Sequence, residues 1–329
     1  MEFTPEIKKA TQPIYQKISK TIPEIEWSYH APYIYEINKL KKEKNAVILA
    51  HNYQTPEIYH GISDFSADSL ALAVEAAKTK ADIIVMCGVH FMAETAKLMS
   101  PNKKVLLPDM RAGCSLSSSI TGEDVRKLKK QNPGVPVVSY VNTSADVKAE
   151  TDVCCTSANA VKIVNSLGVK KVIFLPDDYL AKYVASQTDV EIISWKGTCE
   201  VHEQFNDVEI NEIRKNNPGI KIIAHPECPP DVIKASDFAG STSGMIKYVR
   251  DNQPEKVMMV TECSMSDNVQ IDNPNVNFIR PCNLCPHMKK ITLPKILDCL
   301  ENETNEILMD NITIEKARNS VERMVKIGR

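Results

Sequence analysis

Three cysteines occur at nearly equal intervals along the chain: Cys114, Cys199 and Cys285 are separated by 85 and 86 positions. Thiolates at equivalent positions of three similar units could meet at one metal. A [4Fe–4S] cluster normally takes four thiolates, so with three protein ligands one iron keeps an open position. An open iron can act as a Lewis acid on a hydroxyl or carboxylate, which suits the elimination of water.

Zinc is an alternative occupant of these cysteines. Structural zinc prefers four ligands, often in paired Cys-x-x-Cys units, and only Cys282 to Cys285 has that spacing. Taken alone, each of the three cysteines would more often be core or loop filler than a ligand, but their shared position in the repeat favours ligation. Cys282 is interpreted as inert. The cysteines without equivalents in the repeat are interpreted as structural, namely Cys87, Cys154, Cys155, Cys228, Cys263 and Cys299.

Polar residues recur together with the cysteines. The first strand of each copy ends in a polar cluster, and an aspartate and a hydroxyl-bearing helix start follow it. Functional groups gather beyond the carboxyl ends of parallel strands, and helix N-termini offer N–H groups to carboxylates and phosphates. Serine and threonine also cap helices that bind nothing. The candidates are His51 and Tyr53, Tyr140, His225 and Glu227, and the helix starts at Ser69, Thr156, Ser157, Ser241 and Thr242.

Short apolar runs rich in β-branched residues alternate with amphipathic helical stretches. This alternation predicts parallel βαβ units. Nine strands form three groups of three, and Asn132–Gly134 recurs as Asn217–Gly219. The predicted fold class is α/β, with three pseudo-threefold-related three-layer αβα domains, each with a short parallel sheet. The predicted boundaries are a helical arm (1–45), repeats at 46–132 (Cys114), 133–217 (Cys199) and 218–301 (Cys285), and a C-terminal helical tail (302–329).

Composition excludes several function classes. The formal net charge is −2, which argues against nucleic acid or an anionic membrane as a partner. The longest apolar run, 83–93, is shorter than a membrane helix of roughly 18 residues, and the first residues lack a signal-peptide pattern. We expect a cytoplasmic protein, in which cysteines serve as core, ligands or catalysts. No phosphate-binding glycine motif supports a nucleotide cofactor.

Six segments together resemble the quinolinate synthase family, and the resemblance covers about Ala46 to Leu293. They are Ala50–Gln54, Tyr140–Ala145, Thr156–Ala160, His225–Cys228, Gly240–Gly244 and Cys285–Lys289. The resemblance implies a [4Fe–4S] cluster held by Cys114, Cys199 and Cys285. It also implies that iminoaspartate condenses with dihydroxyacetone phosphate to quinolinate in de novo NAD biosynthesis, with loss of phosphate and two waters. An enzyme that supplies iminoaspartate is a further candidate partner.

The resemblance also implies the residues that contact substrate or product: His51, Ser69, Tyr140, Asn142, Ser157, His225, Glu227, Ser241 and Thr242. Tyr53 would line the same pocket. Glu227, His225 and Tyr53 are the candidates for acid–base catalysis, with no firm assignment among them. His202 is left open between a residue that supports Cys199 and an exposed helix residue. Alternative functions are an iron–sulfur hydro-lyase of the aconitase type, a non-enzymatic iron–sulfur sensor and a zinc scaffold.

Overall fold

The computed structural model describes residues 1–280 and 282–328. Within these ranges the α-helices are α1 Pro5–Ile18, α2 Glu24–Glu43, α3 Pro56–Tyr59, α4 Ser69–Lys78, α5 His90–Met99, α6 Ser115–Ser118, α7 Gly122–Gln131, α8 Ala145–Ala149, α9 Ala160–Ser166, α10 Asp178–Ala185, α11 Asp207–Asn216, α12 Pro230–Ala235, α13 Thr242–Asn252, α14 Cys263–Asp272, α15 Leu293–Asn302 and α16 Asn311–Ile327. Two short 3₁₀ turns occupy His202–Gln204 and Met288–Lys290.

The strands of the described chain are β1 Ala46–His51, β2 Phe65–Ala67, β3 Ile83–Cys87, β4 Lys104–Leu106, β5 Val137–Tyr140, β6 Val153–Cys155, β7 Lys171–Leu175, β8 Glu191–Ser194, β9 Lys221–Ala224, β10 Phe238–Ala239, β11 Lys256–Val260 and β12 Asn277–Ile279. They form three parallel sheets with the same internal order: β2-β1-β3-β4, β6-β5-β7-β8 and β10-β9-β11-β12. The α/β class with three short parallel sheets is therefore confirmed. The expectation of three strands per sheet is wrong, because each sheet has a fourth, very short strand at one edge.

The three aspartates that the sequence repeat shares have a structural role. In each copy the carboxylate accepts a hydrogen bond from the backbone N–H of the neighbouring first strand. Asp64 accepts from Ile48, Asp152 from Val137 and Asp237 from Ile222, each at 2.8 Å. Each aspartate directly precedes the short edge strand, so this bond fixes where that strand starts to pair. The same contact in three places is physical support for a triplicated unit.

The central strands are buried because their residues are apolar on both faces. All five residues of β3 are buried, as are the four residues of β5 and the last four of β7. A parallel strand covered by helices on both faces needs such a continuous apolar run. Strand β5 ends at the polar residue Tyr140, and the candidate site lies in loops that follow strands.

The described residues group into two compact units. The first unit comprises Met1–Ala112, Cys263–Pro274 and Leu284–Ile307, and it contains the first sheet. The second unit comprises the described residues of Gly113–Glu262, Asn275–Asn283 and Leu308–Arg329, and it contains the other two sheets. All strands of each sheet come from one predicted repeat, while the boundaries predicted for the repeats stay a prediction.

The predicted helical regions at both ends are present. Helices α1 and α2 belong to the first unit. Helix α16 belongs to the second unit, where it packs against α8 and β6 with Ala317, Ser320, Val321 and Met324 buried. Its start is capped by Asp310, whose side chain accepts from the N–H of Thr313. Among the described helices, none combines the length and the apolar character needed to cross a bilayer.

Candidate active site

A buried group of three metal-ligating side chains lies in the second unit. The ligand atoms of Cys199, His202 and Glu227 all lie within 4.8 Å of one another. Cys199 is in the loop after β8, His202 begins the first 3₁₀ turn, and Glu227 follows the end of β9. The sequence analysis singled out Cys199 and Glu227 and left His202 undecided. His202 is 1% exposed, which excludes the exposed-helix interpretation.

Glu227 is the electrostatic centre of this group. One carboxylate oxygen, Oε1, accepts from the Tyr140 hydroxyl, and the other, Oε2, lies 2.9 Å from Nδ1 of His202. Burial raises the pKa of Glu227. The charges of His225 and His202 lower it, as do hydrogen bonds from His202 and Tyr140. The lowering effects are larger than the effect of burial, so the pKa lies well below its usual range. Glu227 is therefore a buried carboxylate that stays ionised.

The ionised carboxylate fixes where His202 carries its proton. Because a carboxylate only accepts hydrogen bonds, Nδ1 of His202 must be the protonated nitrogen. This N–H also faces the Cys199 sulfur at 3.1 Å, and the opposite nitrogen, Nε2, lies 2.9 Å from the Thr261 hydroxyl. His202 is thus held from both sides, and it connects a candidate metal ligand to the candidate acid–base group.

His225 forms the second arm of the network. Its ring stacks on that of His202, with centroids 4.8 Å apart. The backbone N–H of Glu227 donates to Nδ1 of His225 at 3.4 Å, so Nε2 carries the proton in the neutral ring. Nε2 lies 3.1 Å from the Ser157 hydroxyl. A continuous polar path therefore runs from Ser157 through the two imidazoles to Glu227 and Tyr140.

Cys114 and Cys199 are drawn together by the residue that follows Cys114. The Ser115 hydroxyl donates to the carbonyl of Thr198 and accepts from the N–H of Glu200, both at 3.1 Å. These two residues flank Cys199, so the two cysteine loops are joined. Both cysteines are half-buried. Two of the three cysteines singled out from the sequence are therefore neighbours within one unit.

The surroundings of Cys199 disfavour its thiolate form unless a cation binds. Burial, then the charge of Glu227 and the neighbouring Cys114, raise the pKa of Cys199 well above its ordinary value, while N–H groups of His202 and Val201 act in the opposite direction. A bound cation reverses this balance because a coordinating thiol loses its proton. The donor chemistry of Cys199, His202 and Glu227 therefore supports a metal site here.

The loops after β5 and β6 supply further predicted residues. Tyr140 is the last residue of β5 and is 5% exposed. Asn142 follows in the turn, and its Oδ1 is buried with no hydrogen-bond partner among the described residues. The Ser157 hydroxyl is held by His225, as described above. Its neighbour Thr156 is fixed locally, because its N–H donates to Oδ1 of Asn159 at 2.8 Å.

Ser241 and Thr242 lie at the start of α13 in the same unit. The Ser241 side chain caps the helix by accepting from the N–H of Gly244 at 3.2 Å. Thr242 is the first helical residue, and both side chains are buried. Capping accounts for Ser241 without a ligand. Their predicted contact with substrate stays a prediction.

The first unit holds the remaining predicted residues. The Nδ1 of His51 accepts from the N–H of Tyr53 at 3.2 Å, and the rings of His51 and Tyr53 meet edge to face. His225 accepts from the N–H of Glu227 in the same way. Ser69 begins α4, which Asp68 caps. Cys285 is half-buried, and its carbonyl accepts from the N–H of Lys289. The Lys289 ammonium donates to the Tyr53 carbonyl at 2.8 Å, so the Cys285 turn and the Tyr53 loop are joined.

Several polar residues of the second unit escaped the sequence analysis. Thr261, Lys148 and Asp177 are fully buried. Burial and then the charge of Glu227 raise the pKa of Asp177 well above its usual range. Thr261 and Asp177 follow the third strands of their repeats, at the edge where the site lies, and that position was the available signal. The six cysteines interpreted as structural are all buried.

Parallel sheets whose loops gather two cysteines, two imidazoles and a buried carboxyl group define an α/β protein whose side chains could hold a metal ion. The family model NadA, Quinolinate synthetase A protein, matches residues 35–326. The chain therefore belongs to the quinolinate synthase family, as the resemblance indicated, and the members of this family are enzymes.

Curated relatives extend this likeness over nearly the whole chain. A quinolinate synthase of Sinorhizobium fredii (strain NBRC 101917 / NGR234) is 59% identical over 327 residues, which are 99% of this chain and 91% of the relative. A quinolinate synthase of Caulobacter vibrioides (strain NA1000 / CB15N) is 56% identical over 329 residues, 99% of this chain and 90% of the relative. Quinolinate synthase 2 of Mesorhizobium japonicum is 58% identical over 314 residues, with 95% and 97% covered.

Proposed function

We propose that the chain condenses iminoaspartate with dihydroxyacetone phosphate to give quinolinate, with loss of phosphate and two waters, in de novo NAD biosynthesis. Family membership supports this proposal. The observation that carries it is the buried Glu227 carboxyl group, which lies between the Tyr140 hydroxyl and two stacked imidazoles, one of them beside the Ser157 hydroxyl. This arrangement can take and return protons in the way that forming and closing the ring requires.

The side chains of the second unit would have different roles in proton transfer. Glu227 and His225 are the proposed acid–base groups. His225 faces Ser157 and a substrate bound there with Nε2, and in its imidazolium form it would donate the Nε2 proton to that substrate. The charge of Glu227, whose Oε1 lies 3.9 Å from Nδ1, would stabilise that form. The Tyr140 hydroxyl donates to Glu227 and holds one of its carboxylate oxygens in place. Tyr53, in the first unit, stays a candidate for the same chemistry from the sequence analysis.

We propose a [4Fe–4S] cluster with three protein ligands, Cys114, Cys199 and Cys285, as the cofactor. The joined loops of Cys114 and Cys199 support two of these ligands, and the repeat supports the third. When bound, such a cluster supplies a Lewis acid for the departure of a hydroxyl as water. His202 would hold the sulfur of Cys199 in place through its Nδ1–H, as second-layer donors do in metal sites.

Both proposed substrates are anions, and the predicted contacts suit anions. Ser69, Ser157 and Thr242 lie at or just before helix starts, where backbone N–H groups and hydroxyls can receive carboxylate or phosphate oxygens. Asn142 and Ser241 would add polar contacts in the second unit, and His51 would do so in the first. An enzyme that supplies iminoaspartate is a proposed partner, and the cytoplasm is the proposed compartment.

The test is an anaerobic incubation of the purified protein with iminoaspartate and dihydroxyacetone phosphate. We expect quinolinate by mass spectrometry and one phosphate released for each quinolinate formed. Omitting dihydroxyacetone phosphate should abolish both signals. Dehydration of a hydroxy-dicarboxylate without phosphate release would instead identify a hydro-lyase of the aconitase type and refute the proposal.

A further inference from the structure

Lys148 is a fully buried lysine whose ammonium lies beneath the turn after β5. It sits on α8, and its Nζ donates to the carbonyl of Val141 at 2.9 Å and to the carbonyl of Thr143. These two carbonyls flank Asn142. Burying an ammonium is costly unless it is hydrogen-bonded. The two carbonyls meet this requirement, and in return the ammonium fixes the course of the turn.

The turn connects two side chains of the proposed site. Tyr140 precedes it and donates to Glu227. Asn142 lies at its centre, and within the described chain no group hydrogen-bonds to the buried Oδ1 of Asn142. Buried amide oxygens without a partner are rare in proteins, and each requires an explanation. Because ionised carboxylates only accept hydrogen bonds, an ordered water between this oxygen and a bound dicarboxylate would provide it.

The helix that carries Lys148 is anchored from its other side by α16. The Ser320 hydroxyl is fully buried and lies 3.0 Å from the carbonyl of Lys148 and 2.8 Å from that of Ala317, so its one proton is shared between the two acceptors. Arg323 donates to the carbonyl of Asp152 at 2.6 Å, just before β6. The C-terminal helix therefore holds α8 against the second sheet, and Lys148 passes this constraint to the turn.

We propose that Lys148 is a positioning residue for the reaction: its ammonium holds the Val141–Thr143 turn so that Tyr140 and Asn142 face the bound dicarboxylate. The inference rests on the proposed function and deepens it. In this proposal, α16 keeps α8 in place through Ser320. Lys148 does not touch the reacting atoms, and its removal changes the binding of the dicarboxylate more than the folding of the chain.

The experiment compares Lys148→Met with Lys97→Met. Lys97 is the control in the first unit. It is 8% exposed, its Nζ donates to the carbonyl of Lys103 at 2.8 Å, and it lies 3.3 Å from the Glu306 carboxylate. Neither partner is a predicted site residue. Quinolinate is the probe, and its dissociation constant is measured by calorimetry under anaerobic conditions. Thermal unfolding and the kcat and KM for each substrate are measured on the same preparations.

We expect both variants to lose thermal stability, but only Lys148→Met to bind quinolinate about tenfold more weakly, the equivalent of one or two lost hydrogen bonds. KM should rise with it, and Lys97→Met should bind as the wild type does. Equal affinity in folded Lys148→Met overturns the inference. If that variant does not fold, Ser320→Ala decides: weaker quinolinate binding supports the inference, and wild-type affinity overturns it.

The two proposals fail in different ways. A wild-type protein that neither makes nor binds quinolinate refutes the proposed function and the role of the turn with it. A wild-type protein that does both, with Lys148→Met binding quinolinate equally well, refutes the role of Lys148 alone.

Discussion

Replacing Glu227 by glutamine tests the proton network with almost no change of shape. The carboxylate accepts from the Tyr140 hydroxyl at one oxygen and from Nδ1–H of His202 at the other. Glutamine keeps one acceptor and turns the other into a donor. With the amide oxygen towards Nδ1–H of His202, the amide NH₂ faces the Tyr140 hydroxyl, which must then accept instead of donate. The charge that stabilises the imidazolium is lost.

The expected loss of rate follows from the role of the group. Acid–base catalysis by a positioned side chain contributes about 10²–10⁴-fold, so Glu227→Gln should slow turnover by about 10² or more. The variant should still bind iron, since Glu227 is not among the proposed cluster ligands. Thermal stability should fall, because a buried hydrogen bond to a charged group contributes about 1.5–3 kcal/mol.

The assay is the initial rate of quinolinate formation under anaerobic conditions, with iron content measured on the same sample. Glu212→Gln is the control, because Glu212 is exposed on α11 in the same unit. Its rate should equal that of the wild type. If Glu227→Gln keeps its iron and turns over within about threefold of the wild type, Glu227 is not an acid–base group in this reaction.

Three further predictions concern neighbouring residues. Cys114→Ala and Cys199→Ala should each prevent cluster assembly, which iron and sulfide analysis would show; a full complement of iron in either variant would remove that cysteine from the ligand set. Ser157→Ala loses a hydroxyl 3.1 Å from Nε2 of His225 and should lower kcat/KM about fivefold, or ~1 kcal/mol; an unchanged kcat/KM would contradict this role. Asp177→Asn should raise the thermal midpoint at neutral pH. The pKa of Asp177 is raised in the folded chain, so its contribution to stability is present below its pKa in the unfolded chain and is lost as pH rises. The gain should therefore shrink as the pH is lowered towards the ordinary pKa of an aspartate, and an equal gain at every pH would refute the raised pKa of Asp177.

The fold was largely predictable because most of the nine predicted strands lie in apolar runs rich in β-branched residues. The strands that escaped prediction, β2, β6 and β10, have two or three residues each, and such lengths carry no periodic signal. The aspartate before each of them was visible in the repeat, yet its role required the structure. A carboxylate bound to a strand N–H 15 or 16 residues earlier is a tertiary contact that local pattern does not predict.

The candidate site was predictable in its residue types and only partly in its connections. Glu227, His225, Tyr140 and Ser157 were singled out, and the structure brings them together in one unit. The repeat could not show that His202 joins Cys199 to Glu227, since neither of the other copies has an equivalent histidine. The role of Lys148 could not be predicted either, because the sequence does not show whether a lysine is buried or exposed. Lys148 is buried because α16 packs against the helix that carries it.

The central claim is that one iron–sulfur cluster forms on three cysteines and leaves one iron open. The most direct measurement is the iron and acid-labile sulfide content of anaerobically purified protein, together with its Mössbauer spectrum before and after quinolinate is added. The account predicts about four irons and four sulfides per chain, with one iron whose signal changes when quinolinate binds. A colourless protein that contains zinc, or a cluster in which all irons stay equivalent after quinolinate is added, would contradict it.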